Sequence, residues 1–443
     1  MPPVLRALSF FPTSLLAALA LAPVAGASPI GAPDGLRATP DRAATQRALP
    51  THGVKAHAAQ AAATDPRAIE QWPLQGDAPM GIDSAWRQTT GADVTVAIVD
   101  SGIDLGHPDL APNLWTNAGE VAGNGVDDDH NGFVDDLHGF DFVDGDGTPQ
   151  DANGHGTHVA GIVGARGGNG VGTAGVAWRA RLMAVRVLDA GARGTTTDVA
   201  RGIRYAVDNG ARIVNLSLAG PSSTSDLEDA VRYAQARGVL IVVAAGNDGA
   251  NLASAPTFPA TYGEDNVLGV SATTRSGGLS GVSDYGPGAD LAAPGEEILS
   301  TGLGGGYEWR TGTSMAAPQV SGALVLLAAA RPDLDGPGLR DALLAGTRAN
   351  GLPVATGALD VGAALHAVIA PSAWVGAPSA ALSSYAAGTP KVATAKKKAK
   401  AKKKPMKRKS SAAARKARAK AKAKGRKKAA KRSAARRPAA KRR

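Results

Sequence analysis

The sequence contains no cysteine, so no disulfide can hold it together, and if the chain is exported its stability must come from its core or from bound metal. Aromatic residues make up only 4 % while glycine occurs 56 times. Little side-chain bulk with many points of close backbone approach suits an α/β domain with tight turns. Long hydrophobic runs are missing from both ends. The stretch from Leu15 to Val24 is too short, and too interrupted by Pro23, to span a bilayer. With Arg6 before it and the small residues Ala25-Gly26-Ala27 after it, residues 1–27 read as a secretory signal, so that the mature chain has no transmembrane domain and is secreted, extracellular or periplasmic. There is no internal repeat.

Acidic residues are absent from the last stretch. Residues 391–443 hold 27 Lys or Arg and no Asp or Glu, leaving 22 basic against 38 acidic residues in the first 390, a net −16. The overall charge of +11 therefore belongs to the tail. A segment of this composition cannot bury enough apolar surface to fold alone; it reads either as a solvated extension or as a contact for a polyanion such as DNA, lipopolysaccharide or acidic polysaccharide, which would retain the protein at an anionic cell surface. Residues 28–64 are rich in Ala, Pro and Gly without periodicity and read as a flexible leader. An ordered domain over 65–372, a linker over 373–390 and the basic tail complete the organisation.

Inside the domain, Val94 to Val99 is a continuous apolar, β-branched run of the kind found in buried parallel strands. It ends on Asp100, and a carboxylate at the carboxyl end of a central strand is where open α/β sheets place their chemistry; a lone Asp also caps turns. Strands and helices then alternate: a strand from Arg181, a helix from about Thr196, a strand from Arg212, a helix opened by Ser225 and Glu228 as a capping box, and a strand from Val239 to Ala244. This order implies a mainly parallel central sheet in a three-layer sandwich, with helices on both faces. Asn247 follows the last of these strands. Further on, Gly312-Thr313-Ser314 leads into an apolar segment carrying Val320, Ala323, Leu324 and Leu327 at helical spacing. That helix is expected to be enclosed by protein, with Pro318 in its first turn. A serine at its mouth, near free N–H groups and the positive end of the dipole, is either a cap or a nucleophile.

Two histidines stand in Gly154-His155-Gly156-Thr157-His158. Zinc would need a third ligand that is not nearby, so His158, one turn into a helix, reads as a core residue and His155 as a base. Between Asn113 and Asp151 lies a loop crowded with carboxylates. Asp127, Asp129, Asn131 and Asp135 match the early positions of a calcium loop, although His138 stands where a bidentate Glu would close it. So many oxygen ligands in one segment repel one another unless a hard cation such as Ca2+ neutralises them or solvent screens them.

In chain order Asp100, His155, Asn247 and Ser314 supply an orienting acid, a base, an oxyanion donor and a nucleophile. The motifs Val99-Asp100-Ser101-Gly102, Gly154-His155-Gly156-Thr157-His158, Ala244-Ala245-Gly246-Asn247 and Gly312-Thr313-Ser314-Met315-Ala316-Ala317-Pro318 resemble those of the subtilisin-like serine proteases over roughly residues 71–370. Subtilisin is the reference case for this order and for the asparagine, so the likeness is one of recognition. It implies a serine endopeptidase acting on proteins or peptides through an acyl-enzyme, and a monomer. It also implies a calcium site built from Asp109 and Asn169 with backbone oxygens near Gly167, Val171 and Thr173. Ser217-Leu218-Ala219 and Ala244-Ala245-Gly246 correspond to the segments flanking the first substrate pocket, the former pairing with the peptide as an added strand. A broad, apolar P1 preference follows, with Asp248 at the pocket rim tolerating basic side chains. The interval before Gln71 is too short and polar for the folded, inhibitory propeptide of many secreted relatives. A polyanion-binding protein with an inactive scaffold of this family is the alternative.

Overall fold

The computed structural model describes residues 35–38, 42–43, 64–77 and 79–369. The segments read above as a secretory signal, a linker and a basic tail, and most of the leader, lie outside them. In chain order the elements are β1 (Gly35–Ala38), β2 (Arg42–Ala43), α1 (Ile82–Trp86), β3 (Thr95–Asp100), β4 (Gly139–Asp141), α2 (His155–Gly164), β5 (Arg181–Arg186), β6 (Arg193–Thr195), α3 (Thr196–Asp208), β7 (Ile213–Leu216), β8 (Leu218–Ala219), α4 (Ser225–Gln235), β9 (Leu240–Ala244), β10 (Val267–Thr273), β11 (Leu291–Pro294), β12 (Ile298–Gly302), β13 (Gly306–Thr311), α5 (Thr313–Ala330), α6 (Gly336–Ala345) and α7 (Val361–Ile369).

Seven strands form one parallel sheet in the order β11-β10-β9-β7-β3-β5-β4. Because side chains alternate across a strand, β3 sends Val96 and Ile98 to one face and Ala97 and Val99 to the other. The first pair joins a core with α2 and α5, the second a core with Val199 and Ile203 of α3 and Leu227 and Val231 of α4. Helices thus cover both faces, as the alternating pattern predicts. The order reverses at β3: β5 and β4 lie on one side of it, β7 and β9 on the other. That reversal opens a crevice at the carboxyl ends of the central strands.

Helix α5 is long and apolar enough to cross a membrane by composition, but it is enclosed by the protein, with buried side chains all round it from Thr313 to Ala328. Pro318 sits in its second turn and not its first. A proline there has no N–H for the carbonyl of Ser314 four residues earlier, and that carbonyl instead accepts the hydroxyl of Ser217 at 2.9 Å. The cap of α4 also differs from the expected one. Thr224, in extended geometry, accepts the N–H of Leu227, so Ser225 is already inside the helix.

Candidate active site

Asp100 is the last residue of β3 and His155 the first of α2. Their side chains meet in a buried hydrogen bond of 2.7 Å between Asp100 Oδ1 and His155 Nδ1. The contact depends on Gly156, since a Cβ there would stand 2.2 Å from the carbonyl of Gly102. Asp151, which the sequence reading passed over, ties the two ends together. It accepts the hydroxyl of Ser101, the N–H groups of Asn153, Gly154 and Thr157, and the Thr157 hydroxyl. Ser101 Oγ in turn accepts the N–H of Gly156. The only signal for this role was a carboxylate just ahead of a helix start, which is common to many caps.

Ser314 is the second residue of α5, whose N-terminus is held against two neighbouring strand ends. Its hydroxyl donates to the carbonyl of Ser217 at 3.1 Å. Behind it a buried polar chain runs from Ser321 through Asn215 to Ser217 and the Ser314 carbonyl, which fixes α5 against β7. From β9 comes Asn247, whose Oδ1 accepts both the N–H and the hydroxyl of Thr313 at 2.8 and 3.0 Å. A backbone N–H can only meet an oxygen, so the amide is oriented with Nδ2 turned away from Thr313. Gly246 lies beside it at a left-handed φ of 122°, and a Cβ there would reach 2.1 Å from Asp284 Oδ2. Burial pushes the carboxyl of Asp284 up, against the opposing pull of the backbone N–H groups it accepts.

His158 lies one turn behind His155, fully buried, with Nε2 between the carbonyls of Ile298 and Glu308. Burial, reinforced by Arg310, holds it well below the ordinary histidine range. It lies in the core, where the sequence reading places it.

In the acidic loop the structure gathers Glu120, Asp127 and Asp129, with oxygens within 4.8 Å of one another, a group that could hold a metal ion. Glu120 was missed by sequence reasoning because it precedes the calcium-like spacing. Asn131 binds the loop through its N–H to Asp127 and Asp129, while Asp135 points its oxygens at the N–H groups of Asn124 and Gly125 and stands outside the group. The second region also assembles. Asp109 accepts the amide of Asn169 at 3.0 Å and the N–H of Thr173 at 2.9 Å, and Val171 donates to Asn169 Oδ1. Thr173 Oγ1 is buried with no hydrogen-bond partner among the described residues. Nearby Asp65 accepts the N–H groups of 168–170, and burial together with the charge of Asp109 raises its carboxyl.

A carboxylate and an amide thus come from the ends of β3 and β9, the two strands that flank β7, and an imidazole and a hydroxyl from two helix starts. A family model described as "Subtilase family" matches residues 91–361. The chain belongs to the subtilase family. This subtilase is 44 % identical to thermitase of Thermoactinomyces vulgaris over 244 residues, 55 % of this chain and 78 % of thermitase. It is 41 % identical over 244 residues to a protein named major intracellular serine protease of Bacillus subtilis (strain 168), covering 54 % of this chain and 69 % of that one. Among solved structures, one titled as proteases from Pseudoalteromonas arctica PAMC 21717 aligns with a TM-score of 0.58 at 30 % identity, over 69 % of this chain and 99 % of that one. This subtilase is a subtilisin-like serine endopeptidase, and proteins are its substrates.

Proposed function

We propose that this subtilase is a secreted enzyme that cleaves peptide bonds through Asp100, His155 and Ser314 by way of an acyl-enzyme. The observation that carries the reading is the buried 2.7 Å bond from His155 Nδ1 to Asp100. With the proton on Nδ1 held by the carboxylate, Nε2 is the basic nitrogen that takes the Ser314 proton as Oγ attacks the substrate carbonyl. The oxyanion forms against Asn247 Nδ2 and the first-turn N–H groups of α5, which need no reorientation during the reaction. Collapse of the intermediate expels the amine with the proton carried by His155. Water, deprotonated by the same nitrogen, then hydrolyses the ester. The walls contributed by Ser217, Leu218, Ala219, Ala244, Ala245 and Gly246 carry no charge, which favours a broad, apolar P1 preference.

Export fits the leading run and Ala25-Gly26-Ala27, and attachment of the tail to DNA, lipopolysaccharide or acidic polysaccharide fits its charge. Calcium fits both acidic regions. Asp109, Asn169, Val171 and Thr173 offer hard oxygen donors, and the buried Thr173 hydroxyl beside them has no hydrogen-bond partner among the described residues. Asp127 and Asp129 with Glu120 form a second, more exposed candidate. Excess chelator is therefore expected to lower the melting temperature. A site filled at 100 times its dissociation constant contributes about 2.7 kcal/mol, or several degrees. A melting temperature unmoved by chelator and by added Ca2+ removes the calcium proposal.

The function itself is tested by labelling folded, calcium-loaded protein to completion with a fluorophosphonate and mapping the adduct. A single adduct on Ser314 is expected. No adduct after prolonged exposure would leave the polyanion-binding scaffold as the better account.

A further inference from the structure

Strand β9 ends at Ala244, and its ladder to β10 ends with it, the N–H of Ala245 reaching the carbonyl of Val270 at 3.0 Å. Asn247 therefore stands on a turn beyond the end of that pairing. Thr313 orients its side-chain amide, but an amide is placed only as well as the backbone that carries it. That backbone is tied to one residue. The N–H of Asp284 donates to the carbonyl of Gly246 at 2.9 Å, and Asp284 Oδ1 accepts the N–H groups of Asp248 at 3.0 Å and Ala250 at 2.8 Å. The residue before Asn247 and the residue after it are thus both bonded to Asp284. Its neighbours add two more bonds, from the Gly249 N–H to the Val282 carbonyl and from the Tyr285 N–H to the Ala250 carbonyl.

Asp284 is itself rigidly held. It is only 1 % exposed, and its carbonyl accepts the hydroxyl of Ser271, in the middle of β10, at 2.7 Å and that of Ser283 at 2.9 Å. Its position is therefore inherited from the central sheet. On the other side Oδ2 packs against Gly246, where no Cβ could stand. Among the described residues no Lys, Arg or His forms an ion pair with Asp284, and the charge nearest in effect is another carboxylate, Asp248. Burying a carboxylate without a cation is costly, and a side chain that only filled this space would be neutral. The groups that offset the cost here are the N–H groups of the turn that carries Asn247.

We propose that Asp284 is a positioning residue for the oxyanion donor, clamping the backbone on both sides of Asn247 so that Nδ2 stands where the tetrahedral intermediate forms. This rests on the protease reading given above, and Asp284 acts through Asn247 and not on the substrate. Two N–H groups bonded to one ionised oxygen make charge-assisted contacts, which are stronger than the neutral ones an amide or hydroxyl would supply. The donor has to lie within about 2.7–3.1 Å of the place the oxyanion will occupy, so a turn that drifts loses the contact. That contact is made in the transition state and not in the ground state. Loosening the turn therefore lowers kcat and spares KM.

The test is a double-mutant cycle on the full chain, with kcat and KM measured on a short peptide substrate and the melting temperature recorded for every variant. Asn247→Ala is expected to lower kcat about 10²–10³-fold, the size known for the oxyanion asparagine of subtilisin. Asp284→Ala is expected to lower kcat roughly 30-fold, with KM within about twofold of the parent, as a donor displaced by a fraction of an ångström would. In the Asn247→Ala background the same change is expected to cost less than about threefold, because the group it positions is gone. Asp284→Asn keeps a carbonyl acceptor for the two N–H groups and is expected to hold kcat within about threefold of the parent. Additive losses in the cycle, a loss confined to KM, or an Asp284→Asn variant as slow as Asp284→Ala overturns the assignment. If Asp284→Ala does not fold, Asp284→Ser, whose oxygen sits one bond short of the Oδ1 position, replaces it in the cycle with a loss of at least roughly fivefold expected; parent-level kcat in that variant overturns the assignment equally. Fluorophosphonate labelling separates the two readings. Absence of an adduct on Ser314 in the parent chain overturns the protease reading and this one with it, whereas a labelled parent with an additive cycle overturns this one alone.

Discussion

Replacing Ser314 by alanine is expected to lower kcat/KM on a peptide substrate by about 10⁶-fold, the size established for this position in subtilisin itself. The hydroxyl lies on the second residue of α5, and the substitution deletes its hydrogen bond to the Ser217 carbonyl. One neutral hydrogen bond contributes only about 1 kcal/mol to stability, so the variant should fold, keep its response to calcium and bind substrate with little change in affinity. Activity should fall to the roughly 10³–10⁴-fold acceleration over water that oriented binding and oxyanion donors give without a nucleophile. Salt-dependent retention on heparin, attributed to residues 391–443, should be unaltered. Retention of more than a hundredth of the parent activity would remove Ser314 from the chemistry. Loss of heparin binding in the same variant would show that catalysis and polyanion contact are not separate modules.

The second large effect is expected at Asp100. The change Asp100→Asn keeps size and shape and should lower kcat about 10⁴-fold with little change in KM. The reason lies in the 2.7 Å bond to His155. A carboxylate can only accept there, which places a proton on Nδ1 and leaves Nε2 basic. An amide offers a donor, and an imidazole accepting at Nδ1 carries its proton on Nε2, where it cannot take one from Ser314. It also removes the charge that balances the imidazolium formed during the reaction. Measuring kcat and KM separately decides the point: a fall of less than 100-fold, or a change confined to KM, would mean that Asp100 only shapes the strand end.

Both effects were foreseeable because the residues concerned sit at places that local patterns mark. The run ending at Asp100 had to be a buried strand, since six consecutive buried residues leave no solvent face. The apolar segment after Ser314 had to be an enclosed helix. What surrounds these residues was not foreseeable in the same way. Asp151, Thr313 and Ser217 orient the site through partners 6 to 97 positions away in the chain. Nothing in their own neighbourhood separates such a carboxylate or hydroxyl from an ordinary cap. Glu120 joins Asp127 and Asp129 because the loop folds back, with Glu120 accepting the N–H groups of Asp128 and Asp135. The shift of Pro318 into the second turn of α5 is of the same kind, because its cost is met by a hydroxyl from another element.

By itself the sequence determined the layered α/β class, the order of the four motifs and the separation of an acidic body from a cationic tail, because alternation, capping and charge are read from neighbouring residues. Only the tertiary structure decided which hydroxyls and carboxylates hold those motifs in place, which acidic groups converge, and that residues 35–38 pair as a strand between β6 and β8. Those outcomes depend on backbone groups pairing across long stretches of chain, and a residue's type does not record what folds against it.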